Sequence, residues 1–116
     1  MTFQRKALGS YGEKLALAYL QKKDYKLIGQ NVRLFCGEID LLMRDKKTLV
    51  IVEVKTKSGD SFGQAVEMIT YKKKRKLLQL ARALWQKFPD KIIRIDVVAI
   101  DNNNEIEHLV SAVQEG

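Results

Sequence analysis

The sequence predicts a layered α/β domain of order α-β-β-β-α-β, with a mixed four- to five-stranded sheet flanked by helices. Apolar residues recur at helical spacing in two places, near the N-terminus and again beyond residue 70. Three strand-like runs lie between them, and a β-branched run, KIIRIDVVAI, follows the second. The hairpin in the middle, GEIDLLMRDKKTLVIVEVK at 37–55, is apolar on both faces, as central strands covered on each side are.

Taken in order, the first helix is expected from about Ser10 to Lys23. Leu15, Ala16, Leu17, Ala18, Tyr19 and Leu20 crowd its pattern, and Ser10 with Glu13 three residues on fits a capping box. YKLIGQNVRLF reads as a strand weakened by Gly29. The hairpin turns at Asp45-Lys46-Lys47-Thr48, with Leu41, Met43, Val50, Val52 and Val54 on one face and Leu42, Leu49 and Ile51 on the other. TKSGDSFGQAVEM is a polar, glycine-bearing loop that enters a second helix from about Thr70 to Phe88. Leu77, Leu80, Ala81, Leu84 and Phe88 share one face of that helix, and Pro89-Asp90 ends it. After the β-branched strand, DNNNE turns the chain into a short final segment, IEHLVSAV. No repeat or linker divides the 116 residues, so 1–116 is expected to be one domain.

Composition narrows the class of function. With 46% hydrophobic and 30% charged residues and a single proline, the chain is globular rather than disordered. A formal charge of +7 and a pI near 9.6 favour a polyanionic partner. One cysteine, Cys36, excludes an intramolecular disulfide and a CxxC site, and one histidine, His108, excludes a His-rich metal cluster. Charges recur every few residues in the N-terminal stretch, so neither a signal peptide nor a membrane span is expected there. The chain reads as soluble and cytoplasmic, with no membrane partner.

Acids interrupt the apolar hairpin at Glu38, Asp40 and Glu53. A turn centred between Lys46 and Lys47 sets Asp40 opposite Glu53 and Glu38 opposite Lys55, all four on one face. Like charges so opposed, with Cβ atoms about 5 Å apart, repel. A divalent cation offsets the repulsion, because two carboxylates, a backbone carbonyl and waters make the hard-oxygen shell that Mg²⁺ or Mn²⁺ prefers. Lys55, on the same face, can orient an attacking water or neutralise charge growing on a phosphate. These are the parts of a metal-dependent phosphodiesterase. The competing reading is a hairpin end whose Asp40 and Glu53 face solvent while Glu38 pairs with Lys55; the apolar strands around the acids weigh against it.

The second helix opens with YKKKRK, and cations at a helix N-terminus oppose the macrodipole. Helix stability is therefore not what these lysines serve. Lys72, Arg75, Lys76, Gln79 and Arg82 fall opposite the leucines, and with Lys73 they form a basic face suited to a phosphate backbone. Such contacts are blind to sequence, so DNA shape would set selectivity. A merely solvated basic face is the alternative.

GEKLALAYL, NVR at 31–33, GEIDLL, VEVKTKS, FG at 62–63, the basic start of the second helix and RIDVV at 94–98 run through most of the chain in order. Together they resemble the YraN-like family of small bacterial proteins. The Asp and Glu-x-Lys within them resemble the core of the PD-(D/E)xK nuclease superfamily, which includes archaeal Holliday junction resolvases. The resemblance implies a restriction-endonuclease-like fold with Asp40, Glu53 and Lys55 on the catalytic motif and Glu13 contributing from the first helix. It implies Asp40, Glu53 and Glu13 as metal ligands, Mg²⁺ or Mn²⁺ as cofactor, double-stranded or branched DNA as partner, and a homodimer. Ile39 stands where the superfamily's nominal proline precedes the aspartate. Read from the residues alone, Glu13 has two roles open to it. It can cap Ser10, or it can turn toward the sheet with Ala16, Leu17 and Leu20; the resemblance selects the second.

The expected function is thus a Mg²⁺-dependent endonuclease acting on branched or junction DNA. A catalytically silent nucleic-acid-binding module of the same fold is the alternative, and a basic surface that docks an acidic protein or membrane is a third. Asp96, inside a β-branched strand, is expected to pair with a basic residue. His108 reads as a surface or packing residue, Cys36 as a buried small side chain, and Gln64 and Glu67 as residues at the rim of the site.

Overall fold

The computed structural model describes residues 3–56 and 69–114. Helix α1 (Phe3–Lys22) starts well before Ser10, so the Ser10–Glu13 capping box does not begin it, and Glu13 lies in the body of the helix. Packing overrides the local signal. Gly12 sits against the end of a strand so closely that a Cβ there would stand 2.9 Å from Thr56 Cγ2. A residue that costs helix propensity is retained because only it permits the contact.

Strands β1 (Lys26–Leu34), β2 (Gly37–Asp45) and β3 (Thr48–Thr56) form an antiparallel meander. Helix α2 (Tyr71–Lys87) then carries the chain to β4 (Ile92–Ile100), which lies parallel to β3, and β5 (Ile106–Leu109) pairs antiparallel with β4. The sheet order β1-β2-β3-β4-β5 leaves β3 at the centre. The fold is the mixed five-stranded α/β sheet expected, its fifth strand cut from the short final segment. The glycine-bearing loop, with Phe62, Gly63, Gln64 and Glu67, lies outside the described residues.

Each face of the sheet has its own core. Leu77, Leu80 and Leu84 of α2 pack on Leu42, Leu49, Ile51, Ile95 and Val97. Ala16 and Leu20 of α1 pack on Leu41, Met43, Val50, Val52, Val98 and Ile100 on the other side. The alternation read from the hairpin is therefore the alternation between the two cores. Thr70 caps α2, its Oγ1 accepting from the Lys73 N–H at 3.1 Å, and Phe88 ends it. Phe88, expected on the apolar face, is 44% exposed: it is the C-cap, past the last residue whose direction the helix fixes. Among the described residues no helix is long and apolar enough to cross a membrane.

On the α1 face a polar network ties the elements together around Asp96, which is fully buried. Arg94 donates to it from Nε at 2.9 Å and Nη2 at 3.0 Å, the Ser111 N–H donates at 3.0 Å, and His108 Nε2 lies 2.8 Å away. Tyr25 completes the set, donating to Asp96 at 3.3 Å and accepting from Arg94 at 2.7 Å. The expected basic partner of Asp96 is thus Arg94. His108 is a packing residue whose side chain is 1% exposed. Burial works against the Asp96 charge, but the bonds from His108, Arg94 and the Ser111 N–H overcome it and bring its pKa down from 3.8 to about 2.

A group whose pKa falls on folding adds stability above its unfolded pKa and loses it as pH drops through the folded one. Asp96 should therefore contribute about 2 kcal/mol that disappears between pH 4 and 2. Asp96→Asn should cost about 3 kcal/mol or more at pH 7, because it removes the carboxylate that takes two of the nitrogens of the half-buried Arg94 and leaves that guanidinium only Asp45, at 3.1 Å, as an acid partner among the described residues. Urea unfolding from pH 2 to 7 checks both: the gap between wild type and variant should close as the pH falls.

Candidate metal and nucleic-acid site

The hairpin register is the one the sequence indicated, running from Asp45↔Thr48 to Leu41↔Val52. The described ladder stops there, short of Asp40 and Glu53. Instead the Val54 N–H, which faces β2, points at Asp40 Oδ2 at 3.5 Å, so a side chain stands where the ladder would continue. The alternation of β2 also breaks here. Ile39 belongs to the α2-side core and Leu41 to the α1-side core, although residues two apart should share a face. Across β1, Asn31 falls between the pairs Gln30↔Leu41 and Val32↔Ile39, and it adopts a left-handed φ of 50°. Asparagine tolerates that conformation better than most residues. The irregularity in both strands presents the Asp40 carboxylate at the end of the ladder, within reach of both layers.

Glu53 is buried, with a side chain 9% exposed, and its Oε2 lies 3.3 Å from Lys73 Nζ. Burial, and then the charge of Asp40, push its pKa up from 4.5 to about 7, while Lys73 and Lys55 pull the other way. The Asp40 carboxyl is also raised, by burial and by Glu38, against the Val54 N–H, the Lys73 ammonium and a hydrogen bond from Glu53. Glu13 on α1 is raised by burial, Asp40 and Glu38. Asp40 thus feels charges from both layers, Glu13 from α1 and Lys73 from α2. Asp40 and Glu53 each bear on the other's ionisation, as closely placed carboxyls do.

Among the described residues no three His, Cys, Asp or Glu side chains form a ready-made metal-ligand cluster. Asp40 and Glu53 are brought together; Glu13 touches the pair through its field and is not gathered with it into a ligand set. Glu38, set opposite Lys55 by the hairpin register, makes its ion pair across the β1–β2 ladder with Arg33 at 3.4 Å. Lys55 is half-buried, two residues beyond Glu53, and its charge acts on Glu53.

Lys73, the ion-pair partner of Glu53, lines an open cleft of about 400 Å³ on α2 together with Thr70, Lys72, Arg75, Lys76 and Gln79. Comparison with known sequences bears on this arrangement, since the profile of the Uncharacterised protein family UPF0102 matches residues 12–100, from α1 to the end of β4. The chain belongs to this family. It is 41% identical to a UPF0102 protein of Thermodesulfovibrio yellowstonii over 109 residues, covering 90% of this chain and 94% of that one. A UPF0102 protein of Vibrio campbellii is 41% identical over 120 residues, covering 98% of both. One from Legionella pneumophila is 39% identical over 115 residues, covering 93% of this chain and 95% of its own. The likeness to YraN-like proteins read from the motifs is borne out.

The matched UPF0102 segment holds every residue singled out for the site. Of the basic set, Lys72, Arg75, Lys76 and Arg82 are exposed on α2. Lys73, grouped with them from the sequence, turns instead to Glu53. The signal for this was present: with Thr70 as cap, Lys73 lies in the first turn, and helical side chains lean toward the N-terminus, here toward the end of β3.

A carboxyl raised on folding lowers stability progressively as pH rises from its unfolded to its folded pKa. The Glu53 penalty should grow between pH 4.5 and 7 and be complete above it, at about 2–3 kcal/mol. In the presence of a chelator, Glu53→Gln should be more stable than wild type at pH 8, and the two should converge near pH 4.5. Urea unfolding at the two pH values measures this, and equal stabilities at pH 8 would contradict it.

Proposed function

We propose that this UPF0102 chain is a metal-dependent nuclease that hydrolyses phosphodiester bonds in DNA, with branched or junction DNA as the expected substrate. What supports the reading is one juxtaposition, the buried Glu53 and half-buried Asp40 beside the basic first turns of α2. Buried acids with perturbed pKa values in a cleft mark functional sites more often than structural ones. The pair fits a hard divalent cation such as Mg²⁺ or Mn²⁺. Both donors are carboxylates, and burial together with mutual repulsion leaves them short of positive charge. With no third acid joining them among the described residues, backbone carbonyls and water would complete the shell.

Asp40 and Glu53 would hold the ion, and Glu13 would add negative field from α1. When bound, the ion supplies Lewis-acid chemistry, polarising the phosphoryl group and making water a better nucleophile. Lys55 lies on the same strand as Glu53, where its ammonium can orient the attacking water and balance charge growing on the phosphate. Lys72, Arg75, Lys76 and Arg82 would carry the flanking phosphates as point charges, insensitive to base sequence. Hydrolysis by water needs no covalent enzyme intermediate, which suits a site without a nucleophilic side chain.

The silent binding module of the same fold is favoured by one observation, that the described acids offer a pair rather than a full ligand set. Calorimetric titration with Mg²⁺ and Mn²⁺, run beside nicking of supercoiled and branched DNA, separates the two readings. A nuclease should bind the ion and nick DNA, with both lost in Asp40→Ala and Glu53→Ala. Lys55→Ala should keep ion binding and lose about 10²-fold or more in rate. DNA binding that weakens steeply with salt, with no cleavage under either metal, would leave the silent module.

A further inference from the structure

Between Leu34 and Gly37 the chain reverses through two residues, Phe35 and Cys36. Turn positions are ordinarily filled by Gly, Asn, Asp, Ser or Pro, for which the tight backbone costs least. Here one of the two is a phenylalanine, 91% exposed, more than any other large hydrophobic residue among the described side chains. A single exposed apolar side chain is ordinary on a protein surface. Three further observations make this one different.

The first is that the turn is fixed. Leu34 and Gly37 are paired in the β1–β2 ladder, and Cys36 packs against the α2-side core, so Phe35 is left pointing outward from a rigid base. The second is the company it keeps. Arg33, two residues earlier, has a side chain 82% exposed. Phe35, Cys36, Gln79, Arg82, Ala83 and Gln86 border a hollow of about 250 Å³. A Cβ on Gly37 would stand only 3.0 Å from Lys76 Cε, which places the lysine stem against the hairpin. The third is continuity with the candidate site. Gln79 borders both this hollow and the basic cleft, whose Lys73 reaches Glu53, so the aromatic tip and that cleft belong to one surface. Three strand steps, from Gly37 to Asp40, separate the turn from the acid, about 10 Å at roughly 3.3 Å each, or about three base steps of one DNA strand.

From these we infer that Phe35 is a specificity-determining residue, stacking on a base left unpaired or unstacked where a duplex opens, while the basic face of α2 holds the adjoining arm. The inference rests on the DNA reading above and adds to it the feature recognised, an opened base step. An aromatic ring gains little from a closed duplex, whose bases are already stacked, and much from one with a base free. Apolar side chains set among basic residues act as such wedges in proteins that bend or open DNA. The surrounding positive charge favours a polyanion over a protein surface as the occupant.

The experiment is a competition between two DNAs of equal length, one a closed duplex and one forked, bound by the full chain with Ca²⁺ in place of Mg²⁺ and Mn²⁺. The wild type should prefer the fork. Phe35→Ala should lose about 10-fold or more on the fork and less than about 2-fold on the closed duplex, and Phe35→Trp should restore the preference. Equal losses on both DNAs, or none, would overturn the role of Phe35 while leaving the nuclease reading intact. If wild type binds neither DNA, the nucleic-acid reading itself fails, and this inference falls with it. Sedimentation of the same variants covers the remaining case: if Phe35→Ala dissociates a dimer and leaves the fork preference unchanged, the ring is a contact between copies of the chain and not a wedge.

Discussion

The repulsion between Asp40 and Glu53 is the constraint around which the α2 side of the molecule is arranged. Two carboxylates from adjoining strands are held where water reaches them poorly, and the folded chain answers with the Lys73 ammonium, 3.3 Å from Glu53. That answer is incomplete, since both acids remain raised. The register of the hairpin imposes this arrangement. A slip of one residue would turn Glu53 to the α1 face and exchange the two cores, at a cost far above that of a strained acid pair. The site is thus paid for by the packing of the hairpin that carries it.

The same constraint accounts for the start of α2. A first turn rich in lysine and free of acids works against the helix dipole, and on an isolated helix it would be a defect. Placed over Glu53 it is not. Lys73 faces a buried negative group, and the Thr70 side chain and carbonyl satisfy the N–H groups of Lys73 and Lys74. The acids below and the cations above offset one another across the interface between sheet and helix. The exposed remainder, Lys72, Arg75 and Lys76, faces outward, with Arg75 lying 5.9 Å over the Tyr71 ring and the Lys76 stem against Gly37.

How far the sequence disclosed this depends on the range of the interaction involved. The hairpin register was legible because a two-residue turn and a two-sided apolar pattern each fix it, and the two agree. The faces of α2 were legible from 3.6-residue periodicity, yet a helical wheel gives only relative directions. It grouped Lys73 with the exposed lysines because nothing in it marks where the end of β3 lies. The start of α1 was misplaced because Ser10 and Glu13 imitate a cap. The helix runs through them instead, and Gly12 between them marks the close approach to Thr56, a contact between residues 44 apart that no local pattern shows. Arg94 was foreseeable as the partner of Asp96, while His108 and Ser111 come from a segment whose course only the fold determines. Phe35 left no periodic trace at all, since a turn of two residues has no period.

Two buried acidic centres on adjoining strands show why the Asp40–Glu53 pair is read as functional. Asp96 lies in register with Val52, next to Glu53 along the sheet but on the α1 face. It is the more deeply buried of the two, and burial penalises its charge as it does that of Glu53. Yet its pKa falls to about 2 while that of Glu53 climbs to about 7. The difference lies in the partners. Asp96 receives a two-pronged guanidinium, an imidazole and a backbone N–H, and the acid that shares that guanidinium, Asp45, takes a different nitrogen, Nη1 at 3.1 Å. Glu53 shares one ammonium with a neighbour of its own sign. The chain can therefore satisfy a buried carboxylate with its own residues, and on one face of its sheet it does. On the other face, one residue away, it places a second acid beside the first and leaves both short of positive charge. Destabilisation of that kind is what the proposed divalent cation would relieve, by supplying the missing charge from outside the chain.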